Sequence, residues 1–417
     1  MKRTILTNQP SLWAVIVPGI LTAATGVGAG DLATASITGS LLGLAVLWAV
    51  VIGGLLKFTL TEGLARWQLV TGQTLLEGAA QRFGRILGWL FLPYLLLWSF
   101  FVGSALMSAC GITLHAIIPI FNEAAEAKIV FGMLCGLAGL ALVLSGGFKL
   151  FEKVMSICIG IMFITVTVTA VLLRPAVKEI LSGLFIPSIP DMQGLGITWT
   201  TALIGWVGGT LTILCYGYWI REKGRTGKEF IKTCRIDLAA GYGMTILFGL
   251  AMVIIGSTIE IEGKGAGLLV SLAESLEGPL GIWGRRLFLI GAFSAVFSSL
   301  LGVWQAVPYL FADIWALFFK QSDKLSSENI SKSKPYRIYL YAIALIPMAG
   351  LFFGFKEVQK LYAVAGALFI PLLAAGLLVM NGSRLKMGYF TNRPLTAAVL
   401  WLTLAFFAFM AWMKWAG

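Results

Sequence analysis

The chain is 417 residues long, with 58% hydrophobic and only 12% charged residues. An average soluble domain carries about twice that share of charge, so the composition excludes a soluble globular protein and a disordered one. The formal net charge is +12, but the basic residues sit in short loops between long apolar runs, where they report membrane topology and not nucleic-acid binding.

Eleven apolar segments follow one another, near residues 12–36, 40–65, 86–117, 128–147, 153–173, 197–220, 235–258, 283–319, 337–354, 358–381 and 394–414. A run of about 18 or more residues with almost no charge reads as a membrane-spanning helix. The pattern predicts an all-α polytopic membrane protein with one transmembrane domain over 1–417. A membrane barrel is excluded, because barrel strands give only weak alternating segments. Lys2 and Arg3 precede segment 1 with no convincing cleavage site, so segment 1 reads as the first span and not as a removable signal.

Segment 1 contains Gly26-Val27-Gly28-Ala29-Gly30-Asp31. Glycine in a helix interior costs about 1 kcal/mol relative to alanine, so the cluster marks a place where the helix opens or where a neighbour packs closely. Asp31 lies mid-segment, and a carboxylate there costs on the order of 2.5–3.5 kcal/mol even by insertion scales. It needs a compensating cation, proton, basic partner or freed backbone group. A carboxylate among unwound carbonyls suits a hard cation, while an Asp capping the second half-helix is the structural alternative; the two are compatible. Segment 2 ends with Glu62 and Arg66, four residues apart and so paired on one helix face. Segment 3 carries His115, the sole histidine, which excludes histidine-based metal or catalytic triads within one chain.

Segment 6 contains a second cluster, Gly205-Trp206-Val207-Gly208-Gly209-Thr210, followed by Thr212 and Tyr216. The Thr210 and Thr212 hydroxyls either complete a site with Asp31 or bond back to their own helix. Tyr216, Tyr218 and Trp219 either approach that site or pack. Glycine clusters in the first helix of each five-helix half point to an inverted-repeat transporter, with repeats over 12–173 and 197–381, an additional helix at 394–414, and its site at the two breaks. Asp237 in segment 7 and Asp313 in segment 8 lie near cytoplasmic ends, as gate partners or ordinary interfacial ion pairs. The polar stretch 320–337 reads as a flexible cytoplasmic loop.

With a cytoplasmic N-terminus, the inside loops hold most of the basic residues, among them Arg82, Lys149, Lys153, Arg221, Lys223, Arg225, Arg235 and Arg393. This follows the positive-inside rule, and an odd number of spans places the C-terminus outside. The five cysteines, at 110, 135, 158, 215 and 234, show no CxxC spacing. No P-loop, nucleophile elbow or HExxH is present, and the glycine run at 26–30 follows no strand. An enzyme is not expected, and neither is a cofactor. The partners are the lipid bilayer and the transported species. Oligomeric state stays open, and a monomer fits.

The chain resembles the Nramp family of divalent metal transporters over nearly its full length. The resemblance is carried by Pro18-Gly19-Ile20 with Gly28-Ala29-Gly30-Asp31-Leu32-Ala33-Thr34, which is similar to a PGF…DPGNWAT pattern. Further matches are Gly63 through Gly72, Phe148 through Lys153, Phe185 through Pro190, Ser298-Ser299 and Met387-Gly388. It implies a leucine-transporter-type fold, alternating access and a divalent cation of the manganese, iron or magnesium class as substrate. The departures fall on the site. The family's metal-binding Asp corresponds to Gly28 and its Asn to Asp31, while its MPH triplet corresponds to Thr212-Ile213-Leu214. Its acidic third-helix residues fall on Phe100 and Gly103, and its tenth-helix glutamine has no counterpart near Val364. A site without the soft methionine loses an obvious source of preference for transition metals. The expected ligands are Asp31 as the charge, Gly28 and Gly209 as carbonyls and Thr212 as a hydroxyl, with Thr210 and Tyr216 nearby and Glu62, Arg66 and Asp313 in gating or structural roles. The alternative is a small organic solute such as an amino acid or amine, in a pocket lined by Tyr216, Trp206 and Trp304.

Overall fold

The computed structural model describes residues 12–191, 195–258, 267–318 and 327–416. Among them every regular element is a helix. Helices α1 (Leu12–Gly26) and α2 (Ala29–Leu42) are separated by Val27 and Gly28, so segment 1 is one span in two pieces. A 3-10 turn opened by Gly43 leads into α3 (Leu47–Thr71), which stops where Gly72 takes a left-handed φ of 74° and its amide closes on the Gln68 carbonyl. Helix α4 (Leu75–Phe83) begins with a capping box: Glu77 N donates to Thr74 Oγ1 at 3.0 Å and Thr74 N to the Glu77 carboxylate at 2.6 Å. Helix α5 (Arg85–Ile117) is followed by α6 (Ala124–Leu172), two spans that meet at Gly147 (φ 58°).

After the short α7 (Val177–Phe185), segment 6 is built from α8 (Gly196–Trp206), a 3-10 turn at Leu211–Leu214 and α9 (Cys215–Glu222). There follow α10 (Ile231–Ser257), α11 (Gly267–Ser275), α12 (Glu277–Phe318), α13 (Lys334–Leu345), α14 (Phe355–Asn381), α15 (Arg384–Met387) and α16 (Pro394–Ala416). Among the described residues nine helices are long and apolar enough to cross a membrane, or ten if Leu368–Asn381 and Arg384–Phe390, bent by 70°, form one span. The sequence suggested eleven. Segment 10 enters the count only as that bent pair, and the remaining difference lies in segment 1: its first piece, Ile16–Gly26, is short, and its second runs into segment 2.

Close contacts fix the directions of the spans. Gly19 meets Asp237 and Gly241, and Ser36 meets Gly256, so α1 and α2 run parallel to α10. Val50 meets Gly249 and Thr61 bonds Tyr242, so α3 runs antiparallel to α10. Gly53 meets Ile204, and Gln68 donates to the Gly217 carbonyl at 2.6 Å, so α8 and α9 follow α3. The two glycine-interrupted spans therefore run in opposite directions through the molecule.

The loops expected to share the cytoplasmic side gather at one end. Arg235 pairs with Glu62 at 2.8 Å, Lys223 with Glu152 at 2.6 Å and Arg221 with Glu77 at 3.6 Å. Lys2, Arg3 and the first part of the polar stretch, 320–326, lie outside the described residues. The protein is an integral multi-pass membrane protein, and it exposes many large apolar side chains, such as Ile157, Ile164, Leu372 and Trp401, as a lipid-facing surface requires.

Candidate functional site between the two broken spans

The first break is short. Val27 N still donates to Ala23 O at 2.8 Å, and Gly28 then turns extended before α2 begins. Asp31 stands in the first turn of α2, where Gly28 N donates to its Oδ2 at 3.1 Å. The carboxylate thus serves the N-terminus of its own half-helix, where free amides and the helix dipole favour negative charge. This is the capping alternative in a modified form, with Asp31 inside the first turn instead of at the N-cap.

The second break is wider. Helix α8 stops at Trp206, Gly208 and Gly209 take φ of 84° and 82°, and the 3-10 turn follows. Left-handed backbone at two successive positions favours glycine at both. The breaks touch through these residues. A Cβ on Gly209 would lie 2.9 Å from Gly26 Cα, and a Cβ on Gly26 would lie 2.8 Å from the Gly208 carbonyl carbon. Beside this contact is a cavity with room for about one water-sized particle, lined by Val27, Asp31, Thr34, Leu203, Trp206 and Phe248 among others.

A lysine stands at the second break. Lys57, in the middle of α3, is 2% exposed, and its ammonium donates to the carbonyls of Gly205 (3.0 Å) and Gly209. Gly205 belongs to the last turn of α8, whose carbonyls lack helical partners and carry the negative end of the dipole. An anion at the start of α2 is thus matched by a cation at the end of α8. Sequence reasoning did not single out Lys57, although a lone ammonium in a largely apolar stretch is as conspicuous as the Asp31 carboxylate. The available signal was the rule that an ionisable residue deep inside a span is costly and functional by default.

The expected ligands are only partly assembled. Asp31 lines the cavity. The Gly28 carbonyl already accepts from Leu32 N at 3.1 Å, and the Gly209 carbonyl accepts from Lys57. Thr210 is 3% exposed and its hydroxyl has no hydrogen-bond partner, so it does not bond back to its own helix. Thr212 is buried at the same turn, with its hydroxyl against Gly209. Tyr216 is directed elsewhere: its hydroxyl donates to Asp237 Oδ2 at 2.8 Å. Trp206 lines the cavity, whereas Trp304 is fully buried and donates to the Gly136 carbonyl at 3.1 Å. Among the described residues no group of three or more His, Cys, Asp or Glu is placed to hold a metal.

The remaining candidates lie toward the basic end. Asp237, fully buried, accepts from Gly19 N (2.6 Å), Tyr216 and Arg225 (2.8 Å), tying α1, α9 and α10 together. Asp313 accepts from Thr74 and Tyr218, both at 2.7 Å. Glu62 pairs with Arg66 at 3.1 Å and with Arg235, while Arg66 also donates to the Phe390 carbonyl at 2.6 Å. Glu62, Arg66 and Asp313 form links between helix ends and do not reach the breaks.

Two opposed, interrupted spans thus touch through glycines beside a cavity lined by an acidic residue. The model of the Nramp family, described as natural resistance-associated macrophage protein-like, matches residues 19–415. The chain belongs to the Nramp family. The divalent metal cation transporter MntH of Verminephrobacter eiseniae is 24% identical over 404 residues, covering 92% of this chain and 84% of that one. An uncharacterised protein of Pasteurella multocida is 22% identical over 320 residues, 72% of each chain. Among solved structures, a manganese transporter of Eremococcus coleocola aligns with a TM-score of 0.73 at 18% identity, covering 97% of this chain and 87% of that one. The structure of MhsT in complex with L-phenylalanine aligns with a TM-score of 0.60 at 16% identity, covering 94% and 97%. This Nramp chain has the all-helical, leucine-transporter-type fold.

Proposed function

We propose that the chain is a secondary transporter that carries a divalent metal cation by opening the paired breaks first to one side of the membrane and then to the other. The observation that carries this reading is Asp31, a carboxylate lining a cavity of ionic size where two opposed, interrupted spans touch. Family membership supports it, as do the activities named for the Verminephrobacter and Eremococcus relatives. Asp31 supplies the charge, and the Thr210 and Thr212 hydroxyls and the Gly28 carbonyl supply neutral oxygens, a donor set suited to a hard cation. Without a sulfur ligand the site has little basis for preferring manganese or iron over magnesium.

The fold supports two inverted five-helix halves, 12–173 and 197–381, with 394–414 as an added helix. Proton coupling is altered or absent in this reading, because α5 has no acidic residue and the family's acidic positions are Phe100 and Gly103. With the N-terminus in the cytoplasm, cation entry follows the membrane potential, worth about 2.3 kcal/mol per charge per 100 mV. Uptake of Mn²⁺ and Mg²⁺ into proteoliposomes tests the reading: wild-type protein takes up both, and Asp31→Ala takes up neither. Full uptake by that variant overturns the assignment of Asp31.

The Lys57 ammonium favours a second reading. With Asp31 it leaves the empty site electrically neutral, which suits a neutral or zwitterionic organic solute better than a bare divalent ion. Thermal stabilisation by millimolar Mn²⁺ or Mg²⁺ supports the first reading; stabilisation by amino acids or amines, with no response to metals, supports the second.

A further inference from the structure

We propose that Lys57 is a tethered cation, whose ammonium fills from within the chain the place at the second break that a bound ion would otherwise take. This rests on reading the breaks as the transport site, but it concerns how the site is held in shape and not what it carries.

Breaking a helix inside a bilayer strands carbonyl groups where no lipid can bond them. At the end of α8 these include Gly205, and beyond the break Gly209. Carbonyl oxygens converging at the negative end of a helix dipole make a cation site. Here the Lys57 Nζ sits against both oxygens, 3.0 Å from that of Gly205. The lysine reaches them from α3, which runs beside α8 in the same direction. Its side chain is buried along its length, and a Cβ on Gly208 would come within 3.6 Å of Lys57 Cβ, so the stem lies against the break. Asp31 and Lys57 are each bonded to backbone at a half-helix end, Asp31 to the Gly28 amide and Lys57 to the two carbonyls.

Two consequences follow. The second break keeps its shape without any bound ion, and a co-transported cation has no free place at the Gly205 and Gly209 carbonyls. Lys57 is therefore a positioning residue: it holds the backbone against which Asp31 and its substrate sit.

Chemical rescue of full-length Lys57→Ala tests this, with propylammonium, sodium and tetramethylammonium chlorides compared at equal ionic strength. The variant should melt several degrees below wild type and regain most of that loss in propylammonium or sodium. Tetramethylammonium, which has no N–H and is too bulky, should restore nothing, and wild type should respond to none of the three. Lys57→Arg, which keeps charge and donors, should retain the wild-type insensitivity to added cations. If Lys57→Ala does not fold, Lys57→Met carries the test, with sodium-dependent stability expected. Wild-type stability and uptake in Lys57→Met, with no cation-specific response, overturns the proposal. Mn²⁺ uptake by wild-type protein is followed in parallel. Its absence with intact rescue refutes the metal reading alone, and its presence without rescue refutes the tethered cation alone.

Discussion

Asp31 and Lys57 show how a charge is tolerated deep inside a span. Neither relies on the other for its nearest partner; each is matched to the end of a half-helix whose dipole has the opposite sign. Thr210 is the contrasting residue, a buried hydroxyl with no protein partner. An unsatisfied buried polar group costs about 1–3 kcal/mol, and replacing it with an apolar isostere removes that cost. Thr210→Val should therefore raise the thermal midpoint of the empty protein, and it should lower cation uptake if the hydroxyl is a ligand. A lower midpoint in the absence of added cation would show that Thr210 has a structural partner.

At the level of elements, the second break depends on glycines that have different duties. Gly209 carries a φ of 82° and faces Gly26 Cα, so Gly209→Ala meets both backbone strain, about 1–3 kcal/mol, and a backbone clash. Gly205→Ala meets nothing within 4 Å and should be tolerated. Uptake assays on the two variants should separate sharply; equal activity would mean that the breaks can part without loss. Toward the basic end, Asp237 joins α1, α9 and α10 through Gly19, Tyr216 and Arg225. Removing one partner of a buried ion pair costs about 3–5 kcal/mol because the other charge is left uncompensated. Arg225→Met should loosen this end and speed the labelling of the nearby buried Cys234 by a thiol reagent. Unchanged labelling would show that the Arg225–Asp237 pair does not hold this end closed.

For the whole molecule, the orientation we propose rests on charge. The ion pairs Arg235–Glu62, Lys223–Glu152 and Arg221–Glu77 lie at one end, and by the positive-inside rule we propose that this end faces the cytoplasm. An epitope added after residue 417 should then be reached by antibody from outside intact cells, and detection only after permeabilisation would reverse the topology. The spans, their order and the glycine interruptions were legible in the chain because hydrophobicity and glycine content act locally. A run of apolar residues must find a helix in lipid, and Gly208 and Gly209 permit a left-handed turn whatever lies beside them. Asp31 was legible too, since a lone carboxylate in an apolar run is conspicuous. Three outcomes were not. Tyr216 turns to Asp237, Trp304 packs away from the cavity, and Lys57 crosses 148 and 152 positions of chain to reach Gly205 and Gly209. Each depends on which helices lie side by side and in which direction, and contacts so distant in sequence leave no periodic trace. The carbonyls of a broken helix require a partner from the physics of the bilayer alone; that the partner is the chain's own lysine followed from packing α3 alongside α8.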